Sequence, residues 1–314
     1  MAALAFVFPG QGSQAVGMMA ALAGAMPVVR ETFDEASAVL GLDLWQLVQE
    51  GPAEQLNLTH HTQPAMLAAG VAAWRAWQQQ GGPPPAVLAG HSLGEYSALV
   101  AADAMGYADA VRLVAERGRL MQAAVAEGAG AMAAILGLED EQVRAACAQA
   151  AAGEVVEAVN YNSPGQVVIA GHASAVARAV DAAKASGAKR AVLLPVSVPS
   201  HCTLMRPAAA RLAERLAAVD IRLPRIPVLH NVDVAAADSP EAIRDRLARQ
   251  LHSPVRWVET LQRMAADGVG LVVECGPGKV LSGLVKRIDK TLEAAAVFDP
   301  ASLAATLETV HARQ

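Results

Sequence analysis

Cysteine is scarce in this chain, lysine is absent before Lys184, and no apolar run approaches the length of a membrane span. The three cysteines, Cys147, Cys202 and Cys275, are odd in number and widely separated. That pattern argues against a disulfide framework and for a reducing compartment, with each thiol structural. Neither the cysteines nor the histidines fall at metal-ligand spacing, so no metal centre is expected. No basic segment precedes Leu4-Ala5-Phe6-Val7-Phe8, and 54% hydrophobic residues are spread without a spanning stretch. The expectation is a soluble cytoplasmic protein with no membrane association. A net charge of −5 gives no reason to expect nucleic acid as a partner. Internal repeats and low-complexity linkers are also missing, apart from the turn-forming Gly81-Gly82-Pro83-Pro84-Pro85.

What is present is an α/β pattern of 314 residues, long for one core and suited to a large domain with a smaller insert. Apolar runs near 3–8, 86–90, 227–231 and 271–274 alternate with helical stretches, as a hydrolase-like parallel sheet with flanking helices requires. Between 131 and 196 the order changes. Strands at 132–138, 155–161, 167–170 and 190–196 surround helices at 139–151 and 173–186, which is the βαββαβ order of a ferredoxin-like unit. The expected division is 1–127 and 199–314 for the large domain and 128–198 for the small one. A site is expected in the cleft between them, at the carboxyl ends of the large-domain strands.

The segment Gly90-His91-Ser92-Leu93-Gly94 places a serine between two glycines where a strand passes into a helix. A G-x-S-x-G turn of this kind is a nucleophile elbow: the serine is strained and exposed, and the following N–H and helix dipole face a developing oxyanion. A plain strand-to-helix turn remains the alternative. Ser92 needs a base. His60 and His61 sit in a polar stretch read as a loop, His91 is adjacent on the turn and points away, and His172, His252 and His311 read as surface groups. His201, after a strand and a proline-containing turn, is the better placed. No Asp or Glu between Ser92 and His201 follows a large-domain strand convincingly, although Asp233 can be proposed as an orienting acid. Helical spacing separately singles out Arg117. Ala110, Val114, Arg117, Gly118 and Met121 share one face, while Arg112, Glu116 and Arg119 point elsewhere. An arginine on an apolar stripe needs an anion, unless it forms an internal ion pair or snorkels to solvent.

Taken with Phe8-Pro9-Gly10-Gln11-Gly12-Ser13-Gln14, Gln63-Pro64-Ala65 and Pro199-Ser200-His201-Cys202, the elbow resembles the malonyl-CoA:acyl carrier protein transacylases, and is similar to polyketide synthase acyltransferase domains. The resemblance runs from Phe6 to about Ile288. It implies ping-pong acyl transfer from malonyl-CoA, a coenzyme A thioester, to the phosphopantetheine thiol of acyl carrier protein, through a malonyl ester on Ser92 and without cofactor or metal. It further implies His201 as base, oriented by the backbone carbonyl of Gln250, and the N–H groups of Gln11 and Leu93 as oxyanion hole. Arg-Gly-x-x-Met-Gln at Arg117 is where such enzymes hold the malonyl carboxylate, by a bidentate pair that lysine could not reproduce. Gln63, Asn160 and Asn162 are implied along the cleft, though all three can equally serve turns. A monomer is expected.

The clustered cations Lys184, Lys189, Arg190, Lys286 and Arg287 are either a solvated face or a docking surface for the acidic carrier protein. Glu274-Cys275-Gly276-Pro277-Gly278-Lys279 lacks the spacing of a phosphate loop and reads as a strand-to-helix turn. Two rival functions remain open. A thioesterase would use the same elbow with water as acceptor and has no use for a carboxylate-binding arginine; a silent carrier-binding module has no use for an intact Ser-His pair.

Overall fold

The computed structural model describes residues 3–196 and 198–313. Nine strands occur among them: β1 (Ala3–Phe8), β2 (Val87–Gly90), β3 (Gly130–Leu136), β4 (Val156–Ser163), β5 (Gln166–His172), β6 (Arg190–Leu193), β7 (Val228–Leu229), β8 (Val269–Cys275) and β9 (Glu293–Val297). Five form a sheet in the order β7-β2-β1-β8-β9 in which every pairing is parallel. A parallel sheet is covered on both faces, and β1 shows why its sequence is apolar at every position. Phe6 and Phe8 pack into one helical layer with Trp74 and Trp77, while Ala5 and Val7 face the other layer with Trp257 and Leu261. The edge strand β9 and the terminal helix Pro300–His311 lie beyond the strands expected from sequence, and strand 227–231 shrinks to two residues.

The remaining strands form an antiparallel sheet in the order β4-β5-β3-β6, the ferredoxin-like arrangement. Period-two alternation divides its faces. Ile135, Val167 and Ile169 pack under the helices Asp140–Ala151 and Ala173–Ala185, whereas Met132, Val168 and Ala170 turn toward Cys202. In β4 the register slips between Ala158 and Asn160, so that Asn160 pairs with Val168 and faces the cleft. A bulge re-aims a side chain in this way. The last strand stops at Leu193 instead of running on to Val196, and the freed residues Leu194 and Val196 line the cleft. Among the described residues, no helix is long and apolar enough to cross a membrane.

Close backbone approach sets the elbow. A Cβ on Gly94 would stand 2.0 Å from the carbonyl oxygen of Phe8, and one on Gly90 would stand 1.8 Å from the carbonyl carbon of Gly94. Neither obstacle is a side chain that can move aside. Gly94→Ala is therefore expected to destabilise the fold by about 3 kcal/mol, the upper part of the usual range for overpacking. Gly283→Ala, at an exposed helical position with nothing within 4 Å, should instead gain ~0.5 kcal/mol from helix propensity. Chemical denaturation of both variants checks the pair; equal stability would mean that the elbow tolerates a side chain.

Candidate active site

Ser92 occupies the turn between β2 and the helix Gly94–Ala101, with φ of 52°, and His201 has φ of 67°. Both non-glycine residues thus stand in the left-handed region, which persists only where the surroundings hold it. The clamps are visible. The Ser92 N–H donates to Asn231 Oδ1 at 2.7 Å, Asn231 Nδ2 donates to the Gly90 carbonyl at 2.7 Å, and the His201 N–H donates to the Leu251 carbonyl at 2.9 Å.

The two side chains meet, with Ser92 Oγ 2.8 Å from His201 Nε2. His201 Nδ1 lies 2.7 Å from the carbonyl oxygen of Gln250, which can only accept. The proton must therefore sit on Nδ1, leaving the Nε2 lone pair for the serine hydroxyl. Burial, and next the positive charge of Arg117, hold the imidazole pKa down at about 3, so it rests neutral. Asp233, the acid considered from sequence, is instead paired with Arg246 at 2.7 Å.

Arg117 is 1% exposed on the helix Tyr107–Ala123. Its neighbour Gly118 lets the helix Thr59–Gln79 approach, since a Cβ there would stand 2.6 Å from His60 Cα. Arg117 Nη2 donates to Gln250 Oε1 at 2.9 Å and reaches Ser92 Oγ at 3.3 Å, and the guanidinium lies over the Tyr96 ring. Neither of these partners is a carboxylate, and Nε is buried with no partner among the described residues. Burial pulls the Arg117 pKa below its ordinary value, opposed by Tyr96 and Glu95. The same burial pushes the Tyr96 phenol up to about 12.

Gln11, Leu93, Gln63, Asn160 and Ser200 line one cleft with these groups. Gly10 brings the first loop onto the elbow, since its Cβ would stand 2.5 Å from the His91 carbonyl oxygen and 3.7 Å from Leu93 N. Gln63 lies inside the helix Thr59–Gln79 together with His60 and His61, not in a turn or loop as their polar neighbours suggest. Its Nε2 reaches Met121 Sδ at 3.4 Å, while Gln63 Oε1 and Asn160 Oδ1 are buried without partners among the described residues. Asn162 acts one step back, accepting from His91 Nε2 at 2.8 Å. Burial lowers the His91 pKa, so that ring too rests neutral.

The five cations considered for docking are all exposed. Lys184 stays with Asp181 at 3.6 Å. Arg287 donates to Gln166 at 2.9 Å, and the register Gln166–Leu136–Arg190 brings Arg190 to the same end of the small sheet, where Lys189 lies against Gly137. Lys286 is beside Arg287 on the helix Ser282–Ile288.

Sequence reasoning missed the network behind the elbow. Glu95 is fully buried and accepts from His230 Nδ1 at 2.7 Å, the Asn231 N–H at 2.9 Å and Gln250 Nε2 at 2.9 Å. The available signal was His230-Asn231 at the carboxyl end of β7, where ligand-proximal residues of parallel sheets gather.

The model of the acyl transferase domain matches residues 5–312. The malonyl CoA-acyl carrier protein transacylase of Escherichia coli strain K12 is 61% identical over 308 residues, 98% of this chain and 100% of that one. Among solved structures, an acyl carrier protein S-malonyltransferase from Vibrio cholerae superposes with a TM-score of 0.94 at 62% identity, covering 96% of this chain and 99% of its own. A malonyl-transacylase in complex with its type II PKS acyl-carrier protein gives 0.97 at 59%, covering 98% and 99%. Matched from end to end by the domain model and by such relatives, the chain belongs to the acyl transferase family, among the malonyl CoA-acyl carrier protein transacylases.

Proposed function

We propose that this chain moves a malonyl group from malonyl-CoA to the phosphopantetheine thiol of acyl carrier protein, supplying the extender unit for fatty acid synthesis in the cytoplasm. The observation that carries the reading is Arg117. A buried guanidinium 3.3 Å from the serine oxygen, with neutral partners and a free Nε, is a receptor for a carboxylate attached to the acyl group.

In the first half-reaction Ser92 Oγ attacks the thioester carbonyl as His201 Nε2 takes its proton. The oxyanion is held by the N–H groups of Gln11 and Leu93, neither of which has an acceptor among the described residues. Collapse breaks the carbon–sulfur bond, and the imidazolium returns its proton to the departing CoA thiolate. In the second half the carrier thiol gives its proton to His201 and attacks the ester, and Ser92 regains the proton as it leaves. Atoms and charges balance over the two halves with these groups and the two thioesters alone. Gln63 and Asn160 shape the cleft, and Asn162 holds His91 there. We take 128–198 as the small domain that closes over 1–127 and 199–314, and Lys184, Lys189, Arg190, Lys286 and Arg287 as the docking face for the acidic carrier.

Incubation with malonyl-CoA alone should add one malonyl group to Ser92 by intact mass and peptide mapping, and none to Ser92→Ala. An adduct elsewhere would overturn the scheme. Arg117→Ala should lose malonyl transfer while keeping acetyl transfer, since truncating one partner of a buried charge pair costs about 2–5 kcal/mol. Reversing charge at Arg190 and Arg287 should raise KM for carrier protein at low salt and leave Ser92 acylation unaltered; an unchanged KM would make the patch a solvated face.

The pH dependence has a definite sign. His201 has its folded pKa lowered to about 3, so as pH falls the base survives through the region where an ordinary histidine titrates near 6.5. The kcat/KM for Ser92 acylation should show no inflection between pH 5 and 8 from this residue. Stability follows the same direction: the contribution of neutral His201 is present above the unfolded-state pKa and is lost progressively from there down to the folded one. An acylation inflection near 6.5 would show that His201 is not the base or is not held neutral.

A further inference from the structure

Glu95 takes part in no bond-making step, yet it is fully buried three residues after the nucleophile and receives three N–H groups. We propose that Glu95 is a positioning residue for substrate selectivity: through the Gln250 carboxamide it aims a hydrogen-bond acceptor at Arg117 and supplies the buried counter-charge for the guanidinium. The inference rests on the reading of Arg117 as the site of the acyl carboxylate.

The orientation of the Gln250 amide follows from what surrounds it. One end lies 3.0 Å from the Ser92 carbonyl oxygen and 2.9 Å from Glu95 Oε2. Both are acceptors, so that end is Nε2. Oε1 is therefore turned to Arg117, at 2.9 Å. Were Glu95 replaced by its amide, the new NH2 could face Gln250, the carboxamide could rotate, and its own NH2 would then confront a guanidinium that only donates. The partners of Arg117 Nη2 are a neutral amide and the serine hydroxyl, and Glu95 is the carboxylate whose field favours the charged guanidinium. Held through Nη2 alone, by Gln250 Oε1 and Ser92 Oγ, while Nε stays unpaired, Arg117 keeps donors free for an incoming carboxylate.

Glu95 also braces the elbow, through the Asn231 N–H and thus the Asn231 side chain that holds Ser92 N. The two roles separate by substrate. Bracing the elbow serves every acyl group alike, whereas aiming Arg117 serves only acyl groups that carry a carboxylate.

The test measures second-order rates of Ser92 acylation from malonyl-CoA and from acetyl-CoA by intact mass. In Glu95→Gln the malonyl-to-acetyl ratio should fall about tenfold or more. Added to Arg117→Ala, the same substitution should leave the ratio of that background within about twofold, because the two residues act as one unit. Equal losses for both acyl groups, or an undiminished ratio change without Arg117, would overturn the inference. Gln250→Met keeps the backbone carbonyl that orients His201 and removes Oε1, so it decides the matter should Glu95→Gln fail to fold: a shifted ratio supports the relay and an unshifted one removes it. Arg117→Ala distinguishes the levels. If it leaves the ratio untouched, the carboxylate reading falls and the relay with it; if it collapses the ratio while Glu95→Gln and Gln250→Met do not, only the relay falls.

Discussion

The site hangs on one residue at a helix end. Gln250 closes the helix Pro240–Gln250, and the last carbonyls of a helix have no donor within it. Its own oxygen is thereby free to accept the His201 Nδ1–H, and it does so at 2.7 Å. A helix C-terminus also carries partial negative charge, so the group that fixes the tautomer at rest favours imidazolium when the proton arrives. A backbone carbonyl stabilises that charge less than a carboxylate would, but it cannot rotate away. The side chain of the same residue meanwhile reaches Ser92 O, Glu95 and Arg117. Backbone and side chain of Gln250 therefore tie His201, Ser92 and Arg117 to one rigid point.

The nucleophile is positioned by a complementary device, the exclusion of side chains. Gly10, Gly90 and Gly94 bring the loop after β1, the end of β2 and the following helix so close that a single Cβ would collide with main chain. This contact sets Gln11 and Leu93 beside one cleft, where the proposed oxyanion hole would need no reorganisation. The sheet carries the elbow directly: β1 and β2 pair in register up to Phe8 and Gly90, the residues against which Gly94 packs.

Much of this was legible in the sequence because it depends on local chemistry. The glycine spacing around Ser92, the apolar stripe carrying Arg117 and the βαββαβ order of the small unit are each written within a few dozen residues. What escaped depends on contacts between distant segments. Glu95 looks like an ordinary first-turn helix acid until His230 and Asn231 arrive from more than a hundred residues away. Gln63 reads as a turn residue because Pro64 follows it, yet the helix Thr59–Gln79 continues through Pro64 despite the backbone donor a proline lacks. Strand β9 is alanine-rich and pairs only at the sheet edge, which leaves little β-propensity to notice.

Charge links the parts of the site into a selective whole. Arg117 holds the His201 pKa down, second only to burial, and therefore opposes the imidazolium that the proposed attack of Ser92 would form. A neutral acyl group leaves that opposition in place. A carboxylated one sets a negative charge against the guanidinium and offsets it, and each pKa unit regained by His201 corresponds to about 1.4 kcal/mol in favour of the protonated base. In the proposed reaction a substrate carboxylate would thus contribute twice, once in binding to Arg117 and again in strengthening His201 as base. Selectivity built in the proposed way would extend from substrate affinity into the chemical step, because the interaction that recognises the acyl group would also relieve the field in which the proton moves.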